Sequence, residues 1–480
     1  MKQFLTKSVF LCLIGIFTCY GLVLGQEDYR DHRKWYPEGT VFADDPLHRP
    51  VNSWALGFTG GSYDAGTPEG SLVLTGGRIF DGTGSAVRNG TIVIEQNVIT
   101  DILSPGSTNW PRDARVIDVA GKTIMPGLIA MHETITKAKG NIPDGPSLAT
   151  HAPAITINAA ERLKWYVESG ITSIRDVESH GDIPFRLGDF VRMNRIPGPR
   201  MFNAGQLITS TGGHSIEGIW MNDRLVDAVY ATDGPDEWMK SVRVQFTNGA
   251  VFISVASGFS RDEITALTRE AHALGMKVSA NAETFYIQRA VEAGVDVIEH
   301  LLPRSDRTIR MMALEGTQAI PTITSAMRKI DRDGGYFGEA SRRFTVTKES
   351  IMETFQQMRD AGITMGIGLD MGNAASELPS TYIQELKYFV EGGYSITEAL
   401  IAATKTNAEI LDMDDRLGTI EQGKLADITV IDGRPDVDLD DLANVDLVIR
   451  DGHIIIEDGR VNITPHDPKA VMPEGHWSTR

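Results

Sequence analysis

His132 ends an apolar run, Leu128-Ile-Ala-Met131, in which no polar residue alternates with the hydrophobic ones. Such a run suits a strand buried on both faces, as in a parallel sheet. An imidazole at the C-terminal end of the first strand of a β/α barrel stands where such barrels keep their chemistry. Elimination narrows what that chemistry is. Cys12 and Cys19, the only cysteines, lie in an apolar N-terminal stretch, so a mature chain without that stretch has no thiolate nucleophile, thiolate metal site or disulfide. His132-Glu133-Thr134-Ile135-Thr136 does not complete H-E-x-x-H, because its fifth position is threonine. No G-x-S-x-G elbow or phosphate-binding loop occurs. Gly82-Thr83-Gly84 lacks the third glycine of a dinucleotide loop and opens no helix, so it reads as a turn. What remains is imidazole and carboxylate chemistry, which can do general acid–base work.

The elements that would position such groups follow from the pattern of the chain. Strand candidates are Leu128 to Met131, Thr172 to Arg175, Arg200 to Asn203, Val251 to Ile253, Lys277 to Ala280, Val295 to Ile298, Ala319 to Ile323 and Thr364 to Leu369. Eight is the number that closes a parallel barrel. Between them, Ser260-x-x-Glu263 and Ser395-x-x-Glu398 are capping boxes that start helices, and Gly275 stops one. Outside this region the texture is all β. Leu72-Val-Leu74, Arg78-Ile-Phe80 and Thr91-Ile-Val-Ile94 precede it, with Gly76-Gly77, Asp81-Gly82 and Asn89-Gly90 as turn punctuation. Leu425 to Ile431, Leu447 to Arg450 and His453 to Ile456 follow it. The expected architecture is an α/β chain with a (β/α)8 TIM-like barrel over 123–415. A small β-sandwich is built from both ends, 71–122 and 416–462.

Thr123-Ile-Met-Pro-Gly-Leu-Ile-Ala-Met-His132-Glu-Thr134 and Gly418-Thr-Ile-Glu-Gln-Gly-Lys-Leu-Ala-Asp427 resemble the P-G-L-I-D-x-H-x-H and G-x-I-x-x-G-K-x-A-D signatures of the amidohydrolase superfamily, in its imidazolonepropionase and prolidase branch. The resemblance spans about residues 71 to 460. It implies hydrolysis of carbon–nitrogen bonds in small amides, cyclic amides or dipeptides at a two-metal centre. That centre takes a histidine pair after strand one, a carbamylated lysine after strand four, single histidines after strands five and six, and an aspartate after strand eight. Here His132, His300 and Asp370 keep their positions, while Thr134, Ser254 and Asn281 replace the second histidine, the lysine and the strand-five histidine. Neutral oxygen groups are weak donors for zinc, and with the bridging carbamate gone a pair of dications would face one carboxylate. The resemblance thus implies at most a mononuclear centre at His132, His300 and Asp370, with zinc the expected ion. Asp370 would shuttle the proton. Ser210-Thr-Gly-Gly-His214 resembles the G-G-H loop that lies over the substrate, so Gly213 and His214 are expected to contact it. Arg175-Asp176 matches T-x-R-D and is expected to be a structural pair. A protein that has lost catalysis but binds a small ligand or partner in the same cleft is the competing expectation.

Composition bounds the partners and the address. The chain has 480 residues, 41% hydrophobic and 23% charged, with a formal net charge of −18. That charge argues against a nucleic-acid partner and leaves a small molecule as the expected one. Residues 1–25 have a positive start at Lys2 and Lys7, an apolar run from Val9 to Leu24, and small residues Val23 and Gly25 before Gln26. These are the marks of a signal peptide for a periplasmic or secreted protein; an uncleaved N-terminal anchor is the alternative. Residues 26–70 read as a polar extension that would pack through Trp35, Tyr36 and Trp54, and 463–480 as a tail.

Overall fold

A computed structural model of the chain describes residues 68–137, 151–214, 228–337, 344–370 and 377–462. The leader, the extension as far as residue 67 and the C-terminal tail lie outside the described residues. Among the described residues, no helix is long and apolar enough to cross a membrane.

The two β-rich ends form one nine-stranded sheet. Its seam is the strand Thr123–Pro126, antiparallel to Ile428–Ile431 with Ile124 opposite Val430. Leu74, Ile92, Ile94 and Ile124 from the first end share a core with Ile428, Val430, Leu447 and Ile449 from the second. A bridge from Val98 to Leu425 ties the halves again. The sequence reading placed 123–126 at the start of the barrel; the pairing puts these residues in the end sheet, and the barrel begins after Gly127. Two expected turns are also strand residues. Gly77 pairs with Gly90 inside Ser71–Ile79 and Arg88–Glu95, next to a bulge. A side chain at Gly77 would collide with Ile124, 2.7 Å away, so glycine serves close packing there rather than chain reversal. Asp451-Gly452, with both φ values positive, turns the hairpin between Val445–Arg450 and His453–Glu457.

The barrel strands are Leu128–Glu133, Ile171–Asp176, Arg200–Asn203, Ile253–Ala256, Val278–Asn281, Val297–Glu299 and Gln318–Ile320. All neighbouring pairs within the two resulting sheets are parallel. The eighth wall runs from Thr364 to Asp370. Its bridges from Met365 to Ala319 and from Gly368 to Met131, with hydrogen bonds such as Met131 N–H to Ile367 O at 2.9 Å, close the ring. Two features make that closure feasible. A Cβ at Gly368 would lie 2.1 Å from Met131 O, so only glycine lets the first and eighth walls approach. Asn407, at the end of a π-helical turn (Ala402–Thr406), donates to Ile129 O and Ile367 O and accepts from Ile367 N–H at 3.0 Å, riveting the same seam. Ser260 and Ser395 cap the helices Arg261–Ala273 and Ile396–Ile401 through reciprocal bonds with Glu263 and Glu398, as the capping boxes predict. The barrel's fourth strand starts two residues later than expected. A short parallel pair, Leu207–Thr209 with Val229–Ala231, is added beside it.

Candidate active site

The strands deliver their chemistry at their C-terminal ends, and the backbone there is unusual. His132, His300, Thr322 and Asp370 end strands one, six, seven and eight, and all have positive φ, between 48° and 62°. For non-glycine residues this region costs about 1–3 kcal/mol each and is tolerated where the fold over-determines it, most often at functional sites. Four such residues at one barrel mouth mark it out. They stand around a cleft of about 480 Å³.

At its floor His132, His300 and Asp370 converge: one ligand atom from each lies within 4.8 Å of the others. His132 Nδ1 is 2.8 Å from Glu299 Oε2, which leaves Nε2 to face Asp370 Oδ1 at 3.8 Å. The His300 ring, 4.4 Å from that of His132, engages Thr322 Oγ1 through Nδ1 at 2.6 Å. Asp370 Oδ2 accepts from Ser325 Oγ at 2.9 Å. Each member is thus fixed by a neighbour while one donor atom points into the cleft. Burial, reinforced by His132, pushes the His300 imidazole down to about 3, so it is neutral, as a metal ligand must be.

Behind His132 lies a fully buried ionic network. Glu299 accepts from Arg175 and Ser279 through Oε1 and meets His132 through Oε2. Burial alone would raise the Glu299 carboxyl, but Arg175 and His132 hold it down at about 2. A carboxylate on the far nitrogen of an imidazole fixes its tautomer and orientation. Glu299, directly before His300 in the chain, is the functional residue that the sequence analysis does not single out. Arg175, expected to form a structural pair in Arg175-Asp176, pairs with Glu299 instead, and Asp176 accepts from Ile135 N–H at 3.0 Å. Glu133 turns away from the cleft to bond Tyr166.

Of the substituted positions, Thr134 and Asn281 line the cleft, and Thr134 Oγ1 and Asn281 Oδ1 are buried without a hydrogen-bond partner. Ser254 is buried in the fourth strand and does not line it. His214 lines the cleft with Nδ1 3.9 Å from Glu283 Oε1. Gly213, expected to bring backbone close to a ligand, brings it close to protein instead: a Cβ there would meet Thr209 Oγ1 at 2.2 Å and Ser257 O at 2.7 Å. It allows the loop to pack on the end of strand four and so sets His214 in place.

Comparison with known proteins agrees with this geometry. The model of the amidohydrolase family matches residues 123–455. The chain belongs to the amidohydrolase family. Among its family relatives is the imidazolonepropionase of Geobacillus kaustophilus (strain HTA426), 22% identical over 426 residues, covering 78% of this chain and 92% of the relative. The corresponding enzyme of Bdellovibrio bacteriovorus is 23% identical over 405 residues, covering 76% and 88%. Among solved amidohydrolase structures, a Xaa-Pro dipeptidase with methionine bound in its active site superposes with a TM-score of 0.71 at 28% identity, covering 80% of this chain and 99% of that one. Membership places the chain, in general terms, among hydrolases of carbon–nitrogen bonds, on a TIM-like barrel with a β-rich domain drawn from both ends.

Proposed function

We propose that this chain is an exported hydrolase of small amide, cyclic amide or dipeptide-type bonds, with one divalent cation, zinc by donor type, held by His132, His300 and Asp370. The observation that carries the reading is the convergence of those three donors within 4.8 Å, two of them imidazoles anchored through Nδ1. The donor set fits such an ion: two imidazole nitrogens and one carboxylate are a common catalytic complement, and the partnerless Thr134 Oγ1 adds an oxygen at the same cleft. When bound, the cation supplies Lewis acidity and makes water a better nucleophile near neutral pH. The protein's own groups do the rest. His132 is aimed by Glu299, Asp370 by Ser325. Asp370 is placed to accept a proton from attacking water and return it to the leaving nitrogen. The names of the relatives support small cyclic amides and dipeptides as the substrates to try first.

The neutral residues Thr134, Ser254 and Asn281 support a second reading, a binding protein that has kept the cleft and lost turnover. Release of amine from a panel of dipeptides and N-acyl amino acids, with zinc supplied, separates the two. Turnover that disappears in Asp370→Asn supports the hydrolase. Zinc binding with no release from any member supports the binding protein.

A further inference from the structure

One wall of the cleft is the helix Ile323–Asp333, which follows the seventh barrel strand. Ser325, Arg328, Lys329 and Arg332 all line the cleft, and their spacing of three and four residues puts them on one face of that helix. Ser325 reaches Asp370. At 1.5 Å per residue, the three cations stand roughly 5–10 Å further along the axis. In a chain with 46 basic and 64 acidic residues, three consecutive cations on the face turned to a cleft run against composition.

Two features show that this is a side-chain device rather than an ordinary helix start. The first N–H groups of the helix, those of Ile323 and Thr324, are already taken by the buried Glu385 carboxyl at 2.8 and 2.7 Å. Arg328 is steadied by Glu377 at 2.6 Å and Thr381 Oγ1 at 2.9 Å, which hold its guanidinium at the wall. The acidic groups lining the cleft from strands two and five each face a base: Glu178 is bonded by Lys137, and Glu283 lies 3.9 Å from His214.

We infer that this helix face determines specificity: Arg328, Lys329 and Arg332 bind a carboxylate on the part of the substrate away from the bond being cleaved, so that the protein selects acidic small amides over neutral ones. The inference rests on the cleft being the substrate site, and it deepens the function proposed above. Guanidinium and ammonium groups on a partly enclosed wall bind anionic oxygen groups through charge-assisted bonds, which are about twice as strong as neutral ones.

Calorimetric titration of the full chain with glutarate, its neutral diamide glutaramide, and inorganic phosphate tests it, as purified and again with a chelator present. Glutarate should bind at least tenfold more tightly than glutaramide and weaken with added salt. It should lose about tenfold in Lys329→Gln and in Arg332→Gln, and keep its affinity in Lys329→Arg. The variant effects should persist with chelator, since the helix and not a cation at His132 is responsible. Equal binding of the two probes, no detectable glutarate binding, or unchanged glutarate affinity in both glutamine variants overturns the inference. Phosphate binding without glutarate binding overturns the assignment to carboxylate. Because binding is read rather than turnover, a chain that shows the expected pattern but releases no amine contradicts the hydrolase reading alone.

Discussion

Replacing Glu299 by glutamine keeps the side-chain shape and removes one charge from the centre of the site. Glu299 is 0% exposed and Arg175 3%. In the variant the guanidinium would keep a neutral amide oxygen and the face of Phe252, 5.3 Å from the ring centroid, but no counter-charge. The ring contact, worth about 1–2 kcal/mol, is already present in the wild type and offsets none of the loss. Stripping one partner from a buried ion pair costs about 3–5 kcal/mol, and the loss of stability should be of that size. A second loss follows from the 2.8 Å contact to His132. Removing the carboxylate that orients a ligating imidazole weakens metal binding about 10–100-fold. Denaturant unfolding reads the first effect, and zinc titration against a competing chelator reads the second. The double variant Arg175→Met with Glu299→Gln separates them: removing both charges should restore most of the stability while zinc affinity stays low. If Glu299→Gln unfolds at the wild-type midpoint and binds zinc as tightly, the network does not hold His132.

Other outcomes follow from the same structure. Gly368→Ala places a methyl 2.1 Å from Met131 O, a backbone atom that cannot swing aside; it should cost about 3 kcal/mol, read as a lowered unfolding midpoint. Burial raises the Glu385 carboxyl to about 7 from 4.5, against the opposing pull of the Thr324 and Ile323 N–H groups. Below pH 4.5 both states are protonated. As pH climbs to 7 the unfolded chain gives up that proton first, and roughly 3 kcal/mol of stability drains away. Comparing unfolding at pH 5 and pH 8, Glu385→Gln should lack this share of the slope. The proposed export predicts that mass measurement of material recovered from the periplasm or medium shows cleavage before Gln26; a full-length, membrane-bound chain would favour the anchor.

The strand ends were legible because apolar runs stop abruptly at a polar residue. Leu128 to Met131 before His132 and Gly366 to Leu369 before Asp370 both lie where those patterns place them. The convergence of His132, His300 and Asp370 could be anticipated from the resemblance but not from spacing, since these residues lie far apart in sequence and only barrel closure through Gly368 and Asn407 brings them together. Glu299 went unread because an acidic residue beside a histidine has many structural explanations, and its partner Arg175 sits on a different strand. The glycines misled for a related reason: Gly77 and Gly90 have the composition of turns and Gly213 that of a loop touching a ligand, yet all three serve close packing, against Ile124, Ile79 and Thr209. The seam strand Thr123–Pro126 was assigned to the wrong unit because a buried strand reads alike whichever sheet takes it.

The count of ions per chain goes straight to the central claim. Protein prepared with excess zinc, then freed of loose metal, should contain one zinc per chain by elemental analysis, and His132→Ala and His300→Ala should each lose it while remaining folded by circular dichroism. Two zinc ions per chain, or one that survives both substitutions, would contradict a mononuclear centre at His132, His300 and Asp370.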